Sequence, residues 1–259
     1  MNEIVPLQDK RLAEYEKLLV QRDTLKKEAE LINQRYYVKF GGLIIKVYEM
    51  QVECIKLKKM IAFVQQAVNR NEALDLDKLS AYIGEVMVEY RERIKAMYKM
   101  HEECSKAGTV SEMELMKIKK IYRDIVKKLH PDVSPLMEDD ERLRELWEAA
   151  YAAYTANDLA ALEEAYARIQ LILAGMGGAG TVEIQGIEDK TQALREETDH
   201  ITSTPPYTLK PFVTDPLREN EKRMELENEL DEYTAYREQL QGVLRQLTFG
   251  TGIDMEVSL

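Results

Sequence analysis

The stretch LIIKVYEMQVECIKLKKMIAFVQQAV, residues 43–68, decides the fold. Leu43, Val47, Met50, Cys54, Leu57, Ile61, Val64 and Val68 are all apolar and fall alternately four and three residues apart. That period lines them up as one seam of an α-helix and predicts a partner helix against it, as in a coiled coil. A weaker seam runs upstream through Tyr15, Leu18, Arg22, Leu25, Ala29, Ile32 and Tyr36. The two seams join through Phe40 by consecutive four-residue steps, a stutter that locally unwinds a supercoil. Gly41-Gly42 stands beside the stutter, and two glycines cost a helix ~2 kcal/mol relative to alanines. Residues 7–69 therefore read as one very long helix or two collinear ones, with a bend or break expected at the glycines.

Working outward, Asn69-Arg70-Asn71-Glu72 breaks the pattern and predicts a turn. A second seam follows in Leu76, Leu79, Ile83, Val86, Tyr90, Met97, Met100 and Cys104. Two helices joined by a short loop pack antiparallel, so residues 1–108 are expected to form a coiled-coil helical hairpin capped near Gly108. Placing Val68 opposite Leu76–Leu79 sets Cys54 near Arg91. The two thiols are then ~20 Å apart along the axis at 1.5 Å per residue, and both are expected reduced. At the far end, Leu226, Leu230, Tyr233, Arg237, Leu240, Leu244 and Leu247 repeat the three-four spacing. The segment 214–259 is read as a C-terminal amphipathic helix, with residues 215–247 packed antiparallel on residues 8–40. Arg22 and Arg237 fall at seam positions and call for acidic neighbours such as Glu225, Glu229 or Glu238. Pairing of the same seams between two chains, a homodimer, has the same spacing and stays open. The stretch 175–213, with Gly175 to Gly180 and Thr204-Pro205-Pro206, reads as a linker. The fold class is all-α.

Composition narrows function. The 259 residues carry a net charge of −11, which argues against a general nucleic-acid binder, because phosphate contacts need clustered Lys and Arg. No run of 18 apolar residues is present, so no membrane span is expected. Met1 to Pro6 lacks a basic segment followed by an apolar one, and the cytoplasm is the expected location. Two cysteines without a CxxC give no disulfide framework. His101 and Cys104 stand three apart, but a zinc site needs three or four ligands and no others are near, so no metal is expected. The glycine-rich stretch lacks the GxxxxGK[ST] pattern and follows a helix rather than a strand, which argues against a phosphate loop. With three histidines and no nucleophile motif, no catalytic triad or dyad and no cofactor is indicated, and the chain is not expected to be an enzyme.

The chemistry is concentrated in residues 117–132, KIKKIYRDIVKKLHPD. Ser111-x-x-Glu114 forms a capping box before it. Ile118, Ile121, Tyr122, Ile125 and Leu129 make one apolar stripe. Lys117, Lys119, Lys120, Arg123, Lys127 and Lys128 cover much of the remaining surface against a single acid, Asp124. This local positive face suits an acidic partner surface. The helix then stops at His130-Pro131-Asp132, where proline forbids continuation. A further helix is expected from about Glu138 to Tyr154, a turn and helix N-cap at Asn157-Asp158, and a short helix to about Leu173.

Tyr122, Arg123, Ile125, Val126, Lys127, Leu129, His130, Pro131 and Asp132 match, position by position, the second helix and loop of the J-domain. The chain thereby resembles DnaJ-type co-chaperones over residues 111–173. Trp147, Ala150 and Tyr151 stand in the spacing of the third-helix core, with Leu143 and Leu146 on nearly the same face. Two family elements are missing. No first helix with an Asp-Tyr-Tyr-like start precedes residue 111, and the helix 157–169 replaces the usual basic tail. The end of the helix before Gly108 is the expected stand-in for the first helix. The resemblance implies a module at 109–174 with Ile118, Tyr122, Ile125, Leu129, Trp147, Ala150 and Tyr151 in its core. It also implies docking on a DnaK-type chaperone ATPase, of the heat shock protein 70 class, and acceleration of its ATP hydrolysis. Lys119, Lys120, Arg123, Lys127 and Lys128 would steer docking, His130 and Asp132 would be the trigger, and Pro131 would fix the loop. The coiled-coil helices would hold a client or partner that the sequence does not name. The alternative is a coiled-coil scaffold or adaptor carrying a degenerate J-like module.

Overall fold

A computed structural model describes residues 7–106, 110–132, 134, 136, 140–176 and 186–249. In chain order the helices are α1 (Leu7–Arg70), α2 (Leu76–Val86), α3 (Val88–Lys106), α4 (Glu112–Leu129), α5 (Glu141–Ala156), α6 (Leu159–Met176), α7 (Ile187–Ser203), α8 (Lys210–Thr214) and α9 (Pro216–Thr248). The fold is all-α. It divides into two compact units, Met1–Ile32 with Gly108–Thr208 and Asn33–Ala107 with Leu209–Leu259. This division differs from the one expected, because α1 gives its first part to one unit and its remainder to the other. Gly108 and the stretch 177–185, expected as a cap and part of a linker, lie outside the described residues, as do Pro135 and residues 137–139.

In the first unit, the core joins Tyr15 and Leu19 of α1 to Ile118, Tyr122, Ile125, Val126 and Leu129 of α4. Leu143, Ala150, Ala153 and Tyr154 of α5, Leu162, Ala165 and Ile169 of α6, and Leu194 of α7 complete it. Local signals act as read. Ser111 and Glu114 close a reciprocal capping box on α4. Asn157 ends α5 in the left-handed region at φ 58°, and the Ala161 amide donates to Asp158 Oδ1 at 3.0 Å to begin α6. The expected linker instead contains α7, whose buried face is Thr191, Leu194 and Thr198. Threonine methyls form much of that stripe, and the Thr191 hydroxyl is satisfied by the Ile187 carbonyl at 2.6 Å. Ion pairs Arg11–Glu188 at 2.9 Å, Glu14–Arg195 at 2.5 Å and Lys26–Glu197 at 2.6 Å run α7 parallel to the start of α1. The start of the upstream seam, at Tyr15 and Leu18, is thus covered by α4 to α7 rather than by the C-terminal helix.

In the second unit, α1 packs antiparallel on α2 and α3, as expected of the hairpin. Phe63 stacks on Tyr82 at 5.7 Å, the Tyr98 hydroxyl donates to Glu49 at 2.9 Å, and His101 Nδ1 donates to the Tyr37 carbonyl at 2.9 Å. The hairpin turn begins at Asn71 with φ 52°, and the Glu72 amide reaches back to the Ala67 carbonyl at 3.0 Å, closing the helix end. The second strand of the hairpin is broken at Met87 into two helices. Conversely, α1 continues through Gly41-Gly42 without the expected break. Gly41 serves close approach instead: a Cβ there would lie 2.6 Å from His101 Nδ1.

The C-terminal helix α9 packs on α1 from Tyr36 onward, so it overlaps only the end of the expected stretch, and it runs in the opposite sense. Lys39 pairs with Glu219, Arg223 lies over the Phe40 ring at 5.8 Å, the Cys54 thiol donates to the Tyr233 carbonyl at 3.4 Å, and Lys58 lies over Tyr236 at 4.8 Å. Both numbers rise together, so α9 is parallel to α1, not antiparallel to residues 8–40. Leu226 joins Tyr36, Phe40 and Val47, while Leu240 and Leu244 join Cys54, Leu57 and Val64. With partners on two sides, α1 buries Ile45, Val52 and Met60 besides the seam residues Val47, Cys54, Leu57 and Val64, and leaves Val68 exposed. Arg22 finds acids in Asp23 and Glu197. Arg237 Nε is buried with no hydrogen-bond partner among the described residues. Both cysteines are free thiols.

Candidate functional site

The basic helix α4 is positioned by its apolar stripe. Ile118, Tyr122, Ile125, Val126 and Leu129 are all buried, which turns Lys117, Lys120, Arg123, Lys127 and Lys128 outward to solvent. Lys119 is only half-buried and sits close enough to Lys27 to oppose its charge. Two large apolar side chains, Met113 and Met116, share the outer face and are about two-thirds exposed. Lys128 leans over the Tyr166 ring of α6 at 5.8 Å.

His130 caps the C-terminus of α4 with extended backbone, and the chain turns there. The Ser134 amide closes the turn by donating to the His130 carbonyl at 2.8 Å. Pro131 and Asp132 are exposed, but the His130 side chain is buried. Its ring meets Trp147 edge-on at 5.1 Å. The Asp132 amide donates to His130 Nδ1 at 3.1 Å, so Nδ1 is an acceptor and the ring is the neutral Nε2–H tautomer. Burial holds the imidazole below its ordinary range; Asp132 and Asp23 pull it up, and Arg22 adds to the downward shift. His130 is thus part of the core as well as of the loop, which loop position alone did not reveal.

Three polar contacts tie α1 to this module, spaced four or eight residues along one face. The Tyr15 hydroxyl donates to Asp132 Oδ2 at 2.9 Å. Asp23, buried and paired with Arg22 at 2.8 Å, accepts from the Tyr122 hydroxyl at 2.7 Å. Lys27 donates to the Tyr154 carbonyl in the last turn of α5 and lies 3.9 Å over the Tyr154 ring. A cation at a helix C-terminus complements its dipole, yet burial drops the Lys27 amine to about 8. Burial, with the Asp132 hydrogen bond, pushes the Tyr15 hydroxyl up. Burial, with Asp23, does the same at Tyr122. Both phenols stay protonated donors.

The expected third-helix core is partly shifted. Ala150 is fully buried and Trp147 half-buried, but Tyr151 is exposed. Tyr154, three residues on, takes the core place, stacked on Tyr122 at 3.8 Å. The reason is packing on two sides: α5 touches both α4 and α6, which rotates its buried face toward Ala153 and Tyr154. The start of α1, not the helix before Gly108, packs on α4: Tyr15 and Leu19 lie in its core. Among the described residues no group of His, Cys, Asp and Glu is placed to hold a metal, and no helix is long and apolar enough to cross a membrane. No family model matches the chain, and neither a curated protein nor a solved structure matches it.

Proposed function

We propose that this chain is a J-domain-type co-chaperone that docks on a DnaK-type chaperone and accelerates its ATP hydrolysis. The observation that carries the reading is the continuity of one surface. The outward Lys120, Arg123, Lys127 and Lys128 lead directly into a turn that exposes Pro131 and the Asp132 carboxylate. Clustered cations speed encounter with an acidic surface and set orientation. A carboxylate fixed at the end of that surface can then engage a partner cation and favour the hydrolysis-competent state, which must bind it better than the resting state does. The chain performs no chemistry itself in this reading. The second unit, a helical hairpin with α9 against it, provides the surface for a client or a scaffold partner. A scaffold or adaptor with a silent J-like module is the competing reading, favoured by the share of the chain given to that second unit.

The deciding experiment is steady-state ATP hydrolysis by the DnaK-type chaperone of the same host, with the full chain added. Stimulation by the wild type, and its loss in Asp132→Asn, supports the co-chaperone. Asp132 is the better probe than His130, because His130→Gln also disturbs packing on Trp147. Lys127→Glu with Lys128→Glu should raise the half-saturating concentration about tenfold, and added salt should do the same to the wild type. No stimulation by a folded wild-type chain sinks the proposal in favour of the scaffold.

A further inference from the structure

We infer that Tyr15, on α1, is a positioning residue for the His-Pro-Asp loop, holding the Asp132 carboxylate in the orientation that meets the partner. This rests on the co-chaperone reading and extends it to a residue that the motif does not contain. Of the hydrogen bonds that shape the turn, two are local: Ser134 to the His130 carbonyl, and the Asp132 amide to His130 Nδ1. Both order the backbone and neither touches the carboxylate. The Tyr15 hydroxyl does, from 117 residues away in sequence.

Its geometry suits a fixed post rather than a swinging latch. The Tyr15 ring is 2% exposed and packed with Leu19 in the α4 core, so it has no room to withdraw. Asp132 keeps 46% of its side chain exposed, so the bond comes from the protein side and leaves an open side for a partner cation. An aspartate on an exposed turn otherwise samples several rotamers. Where the carboxylate engages the partner only as hydrolysis is triggered, one rotamer selected beforehand is worth a few-fold to roughly tenfold in the triggered rate, because the ordering cost no longer falls on that step. The cations that govern encounter lie on α4, not at this bond, so Tyr15 should affect the triggered step more than the affinity.

The test is Tyr15→Phe in the full chain, which keeps the ring and removes only the donor. Maximal stimulation at saturating co-chaperone should fall about three- to tenfold, with the half-saturating concentration and the melting temperature nearly unchanged. Lys127→Glu with Lys128→Glu should show the reverse split. A second readout needs no partner. In nitrogen-15 NMR, Tyr15→Phe should broaden or shift the Asp132 amide and the His130 ring nitrogens, and should add nothing in an Asp132→Asn background. Unchanged or increased maximal stimulation in Tyr15→Phe overturns the inference, an increase meaning that the contact restrains the loop. If the wild type does not stimulate at all, the co-chaperone reading fails by itself, and unaltered loop signals in Tyr15→Phe overturn the positioning role separately.

Discussion

The Tyr122 hydroxyl meets the Asp23 carboxylate at 2.7 Å inside the protein, joining the middle of α4 to α1. Asp23 is one of the few charged residues in the core, and a buried carboxylate is tolerated only when its hydrogen bonds are made. Tyr122→Phe keeps the stack on Tyr154 but leaves Asp23 one donor short. It should destabilise the first unit by ~1–3 kcal/mol. The chain's single tryptophan, Trp147, lies 6.1 Å from the Tyr122 ring, so its fluorescence during urea unfolding reports this unit. An unchanged urea midpoint would show that Arg22 alone suffices for Asp23.

The two adjacent glycines of α1 should respond oppositely to alanine. At Gly41 the new methyl lies 2.6 Å from His101 Nδ1, so His101 must move and lose the Tyr37 carbonyl. At Gly42 the nearest atom is 3.8 Å away, an ordinary contact, and helix propensity favours alanine by ~1 kcal/mol. Gly41→Ala should therefore lower the melting temperature followed by circular dichroism, and Gly42→Ala should raise it. Equal shifts in the two variants would mean that the close approach at His101 carries no energy.

Acid should weaken the first unit through His130. Its folded-state pKa lies below the ordinary 6.5, so the unfolded chain takes up this proton first. The stabilising contribution is complete above pH 6.5 and is lost as pH falls through the folded-state value, with a slope of at most ~1.4 kcal/mol per pH unit for one proton. Protonation puts a hydrogen on Nδ1, where the Asp132 amide now donates, while the Asp132 carboxylate 4.0 Å away offsets part of the cost. Urea midpoints followed by Trp147 fluorescence should fall more steeply with pH in the wild type than in His130→Gln. Parallel curves would remove His130 as the source.

Much of this fold follows from periodicity, and its failures have physical causes. The capping box and stripe of α4 locate the basic helix and its loop because cap chemistry and burial point the same way there. The start of α1 misleads because its inward residues step by four through Tyr15, Leu19, Asp23 and Lys27. Two of these are charged, so the apolar pattern falls one or two positions aside, on Leu18, Arg22 and Leu25. The direction of α9 was not legible for a different reason. Three-four spacing is nearly the same read forwards or backwards, so it announces a partner without an orientation. Helix α7 is hidden from periodicity because threonine counts as polar while its methyl packs like an apolar group. Tyr15 and Asp23 carry no motif, and only the folded geometry links them to the loop.

The division of α1 between two units has a consequence for biosynthesis. Tyr15 leaves the ribosome 117 residues ahead of Asp132, the side chain it holds. At ~5–20 residues per second, Tyr15 waits roughly 6 to 23 s for Asp132, and longer for α5 to α7. During that interval Leu19 and Lys27 face water, and Asp23 has only Arg22 beside it. The start of α1 is thus made before the helices that cover it and is among the last parts of its unit to be completed, and the nascent chain itself presents the kind of exposed amphipathic helix that chaperones receive.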